Sequence, residues 1–194
     1  MTTAEVPNYS FDLDQEMVDE IQQAFDPAAA VADLRSLIAG KSEDEADAIA
    51  REYFADYGRR LTERSLALGE EFSDRTYENL LAAQDRTGND GWPFVPQRFL
   101  EIAFLSSQPI YTLPIVENSS RQFTWKLALC ETYRQIEEQL GDDVAQRLPC
   151  AAGCIAATKR AFGKFGFNID VVQDARMPDD DYCQFTAPRV PRAQ

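Results

Sequence analysis

Four cysteines are the side chains of this sequence best suited to nucleophilic or ligand chemistry, and all lie in the last third of the chain: Cys130, Cys150, Cys154 and Cys183. Cys150 and Cys154 are four residues apart, so they share one face of a predicted helix. Cys130 ends one predicted strand and Cys183 lies in another. Because strand ends and helix starts often meet at a site, we expect Cys130, Cys150 and Cys183 to converge around one pocket.

Cys150 is the cysteine whose reactivity can be argued from its position. It follows Pro149 in the first turn of a predicted helix. Unpaired N–H groups and the helix dipole favour an anion there, so we expect its thiol pKa to fall below the value of about 8.5 for a free cysteine. The alternative is that the thiols only pack in the core, as free cysteines commonly do. Packing is the favoured interpretation for each cysteine taken singly, and most of all for Cys154 in its alanine-rich helix.

The complete absence of histidine narrows the chemistry further. It excludes Ser-His-Asp and Cys-His catalysis, His-ligated haem and the usual zinc hydrolase sites. The spacings of 19, 3 and 28 residues between successive cysteines match no zinc-ribbon or ferredoxin pattern. The sequence therefore predicts no metal and no other cofactor.

The charge balance bears on the partners. The chain has 33 acidic against 19 basic residues, a net charge of −14, and nucleic-acid affinity depends mainly on neutralising phosphates. No stretch approaches the roughly 18 to 20 apolar residues that span a bilayer, and the first residues do not form a signal peptide. We expect a small-molecule substrate, no nucleic acid, no membrane and a cytoplasmic location with reduced thiols. A homo-oligomer is compatible with these features.

Two side chains near the predicted sheet are candidates for substrate binding. Arg121 could hold a substrate carboxylate, as could Arg98 and Lys126, although each is also typical of a surface residue or a simple ion pair. Trp125, one of the aromatic residues that would line a pocket, is the candidate apolar contact.

The elements that must position these residues divide the chain into two parts. Periodic apolar residues and caps predict helices over 11–25, 28–39, 42–68, 73–86 and 96–105, the third opened by a capping box of Ser42 and Glu45 and closed by Gly69. From Gln122 the sequence alternates with period two, and further strands are predicted at 167–172 and 182–187. The segment 110–113 is predicted to be extended, as an edge strand or a structured loop.

The predicted fold class is α+β, with a helical N-terminal layer packed on a small antiparallel sheet of three or four strands. Phe123, Trp125, Leu127 and Leu129 should face the core, and Thr124 and Lys126 the other side. Residues 1–194 should form a single domain, with flexible ends at 1–10 and 188–194.

The C-terminal part resembles a known family. A strand ending in Cys130, a helix closed by Gly141, Cys150 opening a second helix and the strand Tyr182-Cys183-Gln184-Phe185 resemble the L-2-amino-thiazoline-4-carboxylic acid hydrolase family over residues 122–187. That family favours an Asp one turn after its middle cysteine, where this chain has Gly153 and Cys154. The resemblance implies hydrolytic opening of a small sulfur- or nitrogen-containing ring.

Hydrolytic ring opening without histidine could proceed in two ways. In the first, Cys150 would be the nucleophile, with Cys130 and Cys183 shaping the pocket. In the second, a carboxylate would activate water. One alternative is a non-catalytic small-ligand binding domain, and another is a partner subunit of a biosynthetic enzyme complex. Aromatic residues would line the pocket of a binding domain: Trp92, Phe94, Phe99, Phe104, Tyr111, Phe123 and Trp125.

Overall fold

A computed structural model of the chain describes residues 13–190. The helices are α1 (Gln15–Ala24), α2 (Pro27–Ile38), α3 (Glu43–Glu71), α4 (Arg75–Thr87), α5 (Phe94–Ser107), α6 (Glu131–Leu140), α7 (Asp142–Arg147), α8 (Ala151–Lys164) and α9 (Met177–Asp180). The strands are β1 (Ile115–Asn118), β2 (Gln122–Leu127), β3 (Val172–Ala175) and β4 (Cys183–Pro188). No helix within these residues is long and apolar enough to cross a membrane.

The predicted α+β class is confirmed. The four strands pair antiparallel in the order β1-β2-β4-β3, and five helices precede them along the chain. Strand β2 lies next to β4 in the sheet, with Leu127 opposite Cys183 and Phe123 opposite Ala187. This register brings the end of β2, which leads into Cys130, beside the start of β4.

The N-terminal helices begin where the sequence indicates. Asp26 caps α2, with Pro27 at its first position, and Ser42 and Glu45 form the predicted capping box at the start of α3. The predicted end of α3 at Gly69 is wrong, because the helix continues to Glu71. Gly69 instead provides room for Phe99 of α5, since a Cβ there would lie 2.8 Å from the Phe99 ring.

Two other predicted boundaries are corrected. Helix α4 begins at Arg75 rather than at residue 73, because Asp74 caps it and accepts a hydrogen bond from the Tyr77 N–H. Of the two structures predicted for the segment 110–113, it adopts the loop, and β1 forms just after it. The strand predicted at 167–172 is reduced to an isolated bridge between Ile169 and Arg189, and β3 begins at Val172.

The alternating pattern of β2 is confirmed for three of its four apolar residues. Phe123, Trp125 and Leu127 are buried. The prediction for Leu129 is wrong: β2 ends at Leu127, and Leu129 is 60% exposed. The chain has already left the sheet there, so the period of two no longer determines which side chains are covered.

The prediction of a flexible C-terminal tail at 188–194 is wrong for its first residues. Residues 188–190 were predicted to lie in a flexible tail, but Pro188 closes β4. The Arg189 N–H donates to the Arg121 carbonyl at 2.8 Å, and the Arg189 side chain pairs with Asp90. The prediction for residues 1–10 falls outside the described residues.

Helices α3 and α8 cross at two glycines. A Cβ built on Gly58 would lie 2.0 Å from the Gly153 carbonyl oxygen, so the two backbones are in direct contact. Only residues without side chains permit such an approach. The crossing fixes the first turn of α8, and with it Cys150 and Cys154, against the middle of α3.

Candidate functional site

All four cysteines line one small cavity of about 40 Å³ between α3, α8 and the end of the sheet. Cys130 is the N-cap of α6, Cys150 directly precedes α8, Cys154 lies one turn into α8, and Cys183 begins β4. The structure thus brings together the three cysteines that the sequence placed at one pocket, and it adds Cys154.

The remainder of the cavity wall is mainly apolar. Its aliphatic and aromatic side chains come from α3, α5, β2 and α8: Phe54, Leu61, Phe104, Leu127 and Ala157. Four polar side chains other than the cysteines also line the cavity: Tyr57, Gln108, Thr132 and Tyr133. Two of them are hydrogen-bonded to the backbone. The Tyr57 hydroxyl donates to the Phe25 carbonyl at 2.7 Å, and Gln108 Oε1 accepts the Glu131 N–H at 2.8 Å.

Cys130 is held as a neutral thiol. Burial raises its pKa to about 12, against the smaller opposing effect of the Tyr133 N–H, which donates to Cys130 Sγ at 3.4 Å. The neighbouring Cys183 raises the pKa further, since two thiolates would repel each other. Cys130 therefore caps its helix as a protonated acceptor.

The prediction that Cys150 has a lowered pKa is wrong. Its thiol is desolvated although the residue is partly exposed, and burial, followed by the influence of Cys130 and Cys183, raises the pKa well above the usual range. Its side chain makes no capping hydrogen bond at the start of α8. The helix terminus therefore stabilises a thiolate less than burial destabilises it.

Burial also raises the pKa of the other two thiols, Cys154 and Cys183. All four cysteines are consequently protonated at neutral pH, and none is a ready nucleophile. Among residues 13–190, no group of three or more His, Cys, Asp or Glu side chains is arranged to hold a metal ion.

A wider cleft of about 530 Å³ lies next to the cavity. The two share Tyr133, Cys150, Ala151 and Cys183 as lining residues. One wall of the cysteine cavity is therefore the floor of the cleft.

Among residues 13–190, the cleft lining contains four cationic side chains and no carboxylate. The cations are Arg51 of α3, Arg147 of α7, Lys159 of α8 and Arg176 before α9. In a chain with 33 acidic and 19 basic residues, a concave surface of this composition runs against the overall charge. A lining whose charged side chains are all cationic has the composition of a site for a small anion.

Three of these cations have carboxylate partners outside the cleft lining. Arg147 pairs with Asp47, Lys159 with Asp170 at 2.9 Å, and Arg176 with Asp179 at 3.1 Å. The fourth cation is different. Within residues 13–190, Arg51 is exposed and has neither an ion pair nor a hydrogen bond from its guanidinium.

The structure does not place Trp125 or Arg121 at this site. Trp125 is fully buried in the sheet, where its ring stacks on Phe185 at 4.9 Å and contacts Phe104. Arg121 is exposed in the turn before β2, at the opposite end of the strand from Cys130. The alternation of apolar and polar residues in β2 correctly predicted that Trp125 is buried. It does not distinguish a side chain packed in the core from one that lines a pocket.

The other side chains considered at the sequence level also lie elsewhere. Arg98 is buried in an ion pair with Asp74, with Nε 3.0 Å from Asp74 Oδ1, and Lys126 lies over the Tyr182 ring. Of the seven aromatic residues proposed for a pocket, Phe104 alone lines the cavity.

The four cleft cations were missed by sequence reasoning. Arg147 and Lys159 lie three and nine residues from Cys150, and this proximity in sequence could have predicted their place near the cysteines. Nothing in the sequence predicts the place of Arg51, which is about 100 residues from Cys150 and reaches the site because α3 crosses α8 at Gly58 and Gly153.

No family model, curated protein or solved structure matches the chain. The resemblance to the thiazoline hydrolase family therefore stays a sequence-based prediction.

Proposed function

We propose that this domain binds a small organic anion in the cationic cleft above the four cysteines. The observation that carries the proposal is the lining of that cleft, with Arg51, Arg147, Lys159 and Arg176 and no carboxylate. The volume of about 530 Å³ lies within the range of about 300–1,000 Å³ typical of small-ligand sites.

The cations of the cleft remain available to a ligand. Exposed ion pairs contribute little free energy, typically about 0–1 kcal/mol, so an anion can compete with Asp170 and Asp179 for Lys159 and Arg176. An anion that binds Arg51 need not displace a carboxylate, since Arg51 has no ion pair within residues 13–190. Helix α8 begins at the cleft floor with Ala151 and Ala152, and the positive end of its dipole adds to the attraction.

A ring-opening hydrolase is the second candidate, and the position of Cys150 favours it. Cys150 and Cys183 line both the cavity and the cleft, so a bound molecule would meet a thiol. Nucleophilic attack would require a base to take the thiol proton, because burial keeps Cys150 protonated. The cleft lining has no carboxylate to do so, and binding without catalysis is therefore the better-supported function.

Titration with butyrate tests the binding proposal, with butylammonium as a cation of similar size. We expect saturable, salt-sensitive binding of butyrate and none of butylammonium. Arg51→Gln should weaken butyrate binding about two- to fivefold, the loss of one partly screened charge interaction. Arg86→Gln is the matched control, since Arg86 is also an exposed arginine but lies in α4, away from the cleft.

Equal binding of the two probes, or an Arg51→Gln affinity equal to that of Arg86→Gln, would contradict the proposal. The hydrolase candidate has its own test. A cyclic thiazoline carboxylate should be opened by the unsubstituted protein and left intact by Cys150→Ser. No ring opening by the unsubstituted protein would end the candidate, and an unchanged rate in Cys150→Ser would end the role of Cys150 as its nucleophile.

A further inference from the structure

We infer that the cysteine cavity is a subsite for the apolar end of the ligand, so that the domain selects carboxylates with a short unbranched aliphatic tail. This inference rests on the proposed anion binding in the cleft. It adds that the cleft holds the charged head while the cavity, which shares a wall with the cleft, receives the tail.

The cavity has the chemistry of a hydrocarbon site. Its wall combines apolar side chains such as Phe54, Leu61 and Leu127 with four thiols. The hydroxyl of Tyr57 and the Oε1 atom of Gln108 already take part in hydrogen bonds to the backbone. A mainly apolar cavity favours hydrocarbon groups over water, because water finds few hydrogen-bond partners in it.

The volume of the cavity limits the length of the tail. It measures about 40 Å³, and a single water-sized group occupies about 10–15 Å³ on this measure. The cavity therefore accepts about three methylene or methyl groups. A longer tail does not fit in the cavity, so its additional methylene groups must remain in the cleft among the cations.

The route between the two spaces is lined by small side chains. Cys150, Ala151 and Cys183 belong to both linings, together with the larger Tyr133. A narrow passage beside cysteine and alanine side chains suits an unbranched chain and disfavours a branched or ring-bearing one. A hydroxyl or ammonium group on the tail would lose its hydration in a cavity whose wall is mainly apolar, which costs binding free energy.

A series of linear carboxylates from acetate to decanoate, titrated at constant ionic strength, tests the inference. Each added methylene that enters the cavity should raise the affinity about fourfold. We expect this rise over about three successive methylenes, followed by a plateau or a fall. A 3-hydroxy carboxylate of the best length should lose most of the gain.

Cys154 provides a matched pair of variants, because it lines the cavity but not the cleft. Cys154→Val fills part of the cavity and should shorten the preferred chain by about one carbon. Cys154→Ala enlarges it and should lengthen the preferred chain by about one. Thermal unfolding checks that both variants fold, and if the valine variant is overpacked, the alanine variant alone decides.

The outcomes separate this inference from the proposal on which it rests. Failure of every carboxylate to bind would overturn both. Binding of acetate and hexanoate with equal affinity would overturn the subsite and leave the cationic cleft standing. Chain-length dependence that is identical in the unsubstituted protein and in Cys154→Ala would also overturn the subsite.

Discussion

Gly58 of α3 and Gly153 of α8 lie so close that a Cβ on Gly58 would overlap the Gly153 carbonyl group. The reverse position is also tight, since a Cβ on Gly153 would lie 3.1 Å from the Phe54 carbonyl oxygen. The contact sets Cys150 and Cys154 against α3. A larger residue at position 153 would therefore press on the Phe54 carbonyl group.

Substitution of Gly58 by alanine should be severely destabilising. The added Cβ would lie 2.0 Å from a backbone oxygen that cannot rotate away, so the helices must separate at a cost of at least about 3 kcal/mol. Gly163→Ala is the control within α8, because nothing lies within 4 Å of its Cβ position. That variant should gain about 0.5–1 kcal/mol from helix propensity.

Urea unfolding of both glycine variants measures the difference. A Gly58→Ala variant as stable as Gly163→Ala would mean that α3 and α8 do not cross as described.

Alkaline pH should destabilise the fold through Cys130. Its folded-state pKa is about 12, well above the value of about 8.5 for a free cysteine, so the folded form keeps the proton when the unfolded form loses it. The stabilising effect of the neutral thiol is complete below about pH 8.5 and is lost as pH rises toward about 12. Between these two pH values the free energy of unfolding should fall with rising pH, and this thiol contributes up to about 1.4 kcal/mol per pH unit to the decrease.

Urea unfolding between pH 8 and pH 10.5 measures this slope, and Cys130→Ser isolates the residue. Serine is a good N-cap and can accept the Tyr133 N–H that Cys130 Sγ accepts, but it does not titrate in this range. We expect a shallower decline in Cys130→Ser than in the unsubstituted protein. Equal slopes would show that Cys130 is not a desolvated thiol.

The buried pair of Arg98 and Asp74 should be sensitive to the loss of one partner. Both side chains are less than 5% exposed, and Asp74 also caps α4. Arg98→Met leaves the Asp74 carboxylate buried without its partner and should cost about 3–5 kcal/mol. Adding Asp74→Asn removes the stranded charge and keeps a capping oxygen, so the double variant should be more stable than Arg98→Met alone.

Chemical denaturation of the single and double variants provides the comparison. A double variant less stable than Arg98→Met would indicate that the carboxylate charge is compensated elsewhere.

The parts of the fold that could be predicted are those with a local cause. The capping box of Ser42 and Glu45 and the alternation of Phe123, Trp125 and Leu127 follow from hydrogen bonding and periodicity within a few residues. The prediction that Gly69 ends α3 is wrong, because a glycine can either end a helix or allow another side chain to pack closely against it. Gly69 does the second, and its neighbour Phe99 is 30 residues away in the sequence.

The candidate site divides in the same way. The meeting of Cys130, Cys150 and Cys183 followed from their positions at strand ends and a helix start. The pKa of Cys150 did not, because it depends on burial by α3 and by the other cysteines, and neither is visible in the residues around position 150. The cationic cleft was hidden for the same reason, since α3, α7 and α8 each contribute part of it.

The most direct test of the central claim is a protein-detected NMR titration with butyrate at neutral pH. We predict saturable shifts of the Ala151 and Ala152 amides at the cleft floor and none at Asn79, which lies in a separate groove. The same shifts should require more butyrate in Arg51→Gln. Absence of saturable shifts at Ala151 and Ala152, or larger ones at Asn79, would contradict binding of an organic anion in the cationic cleft.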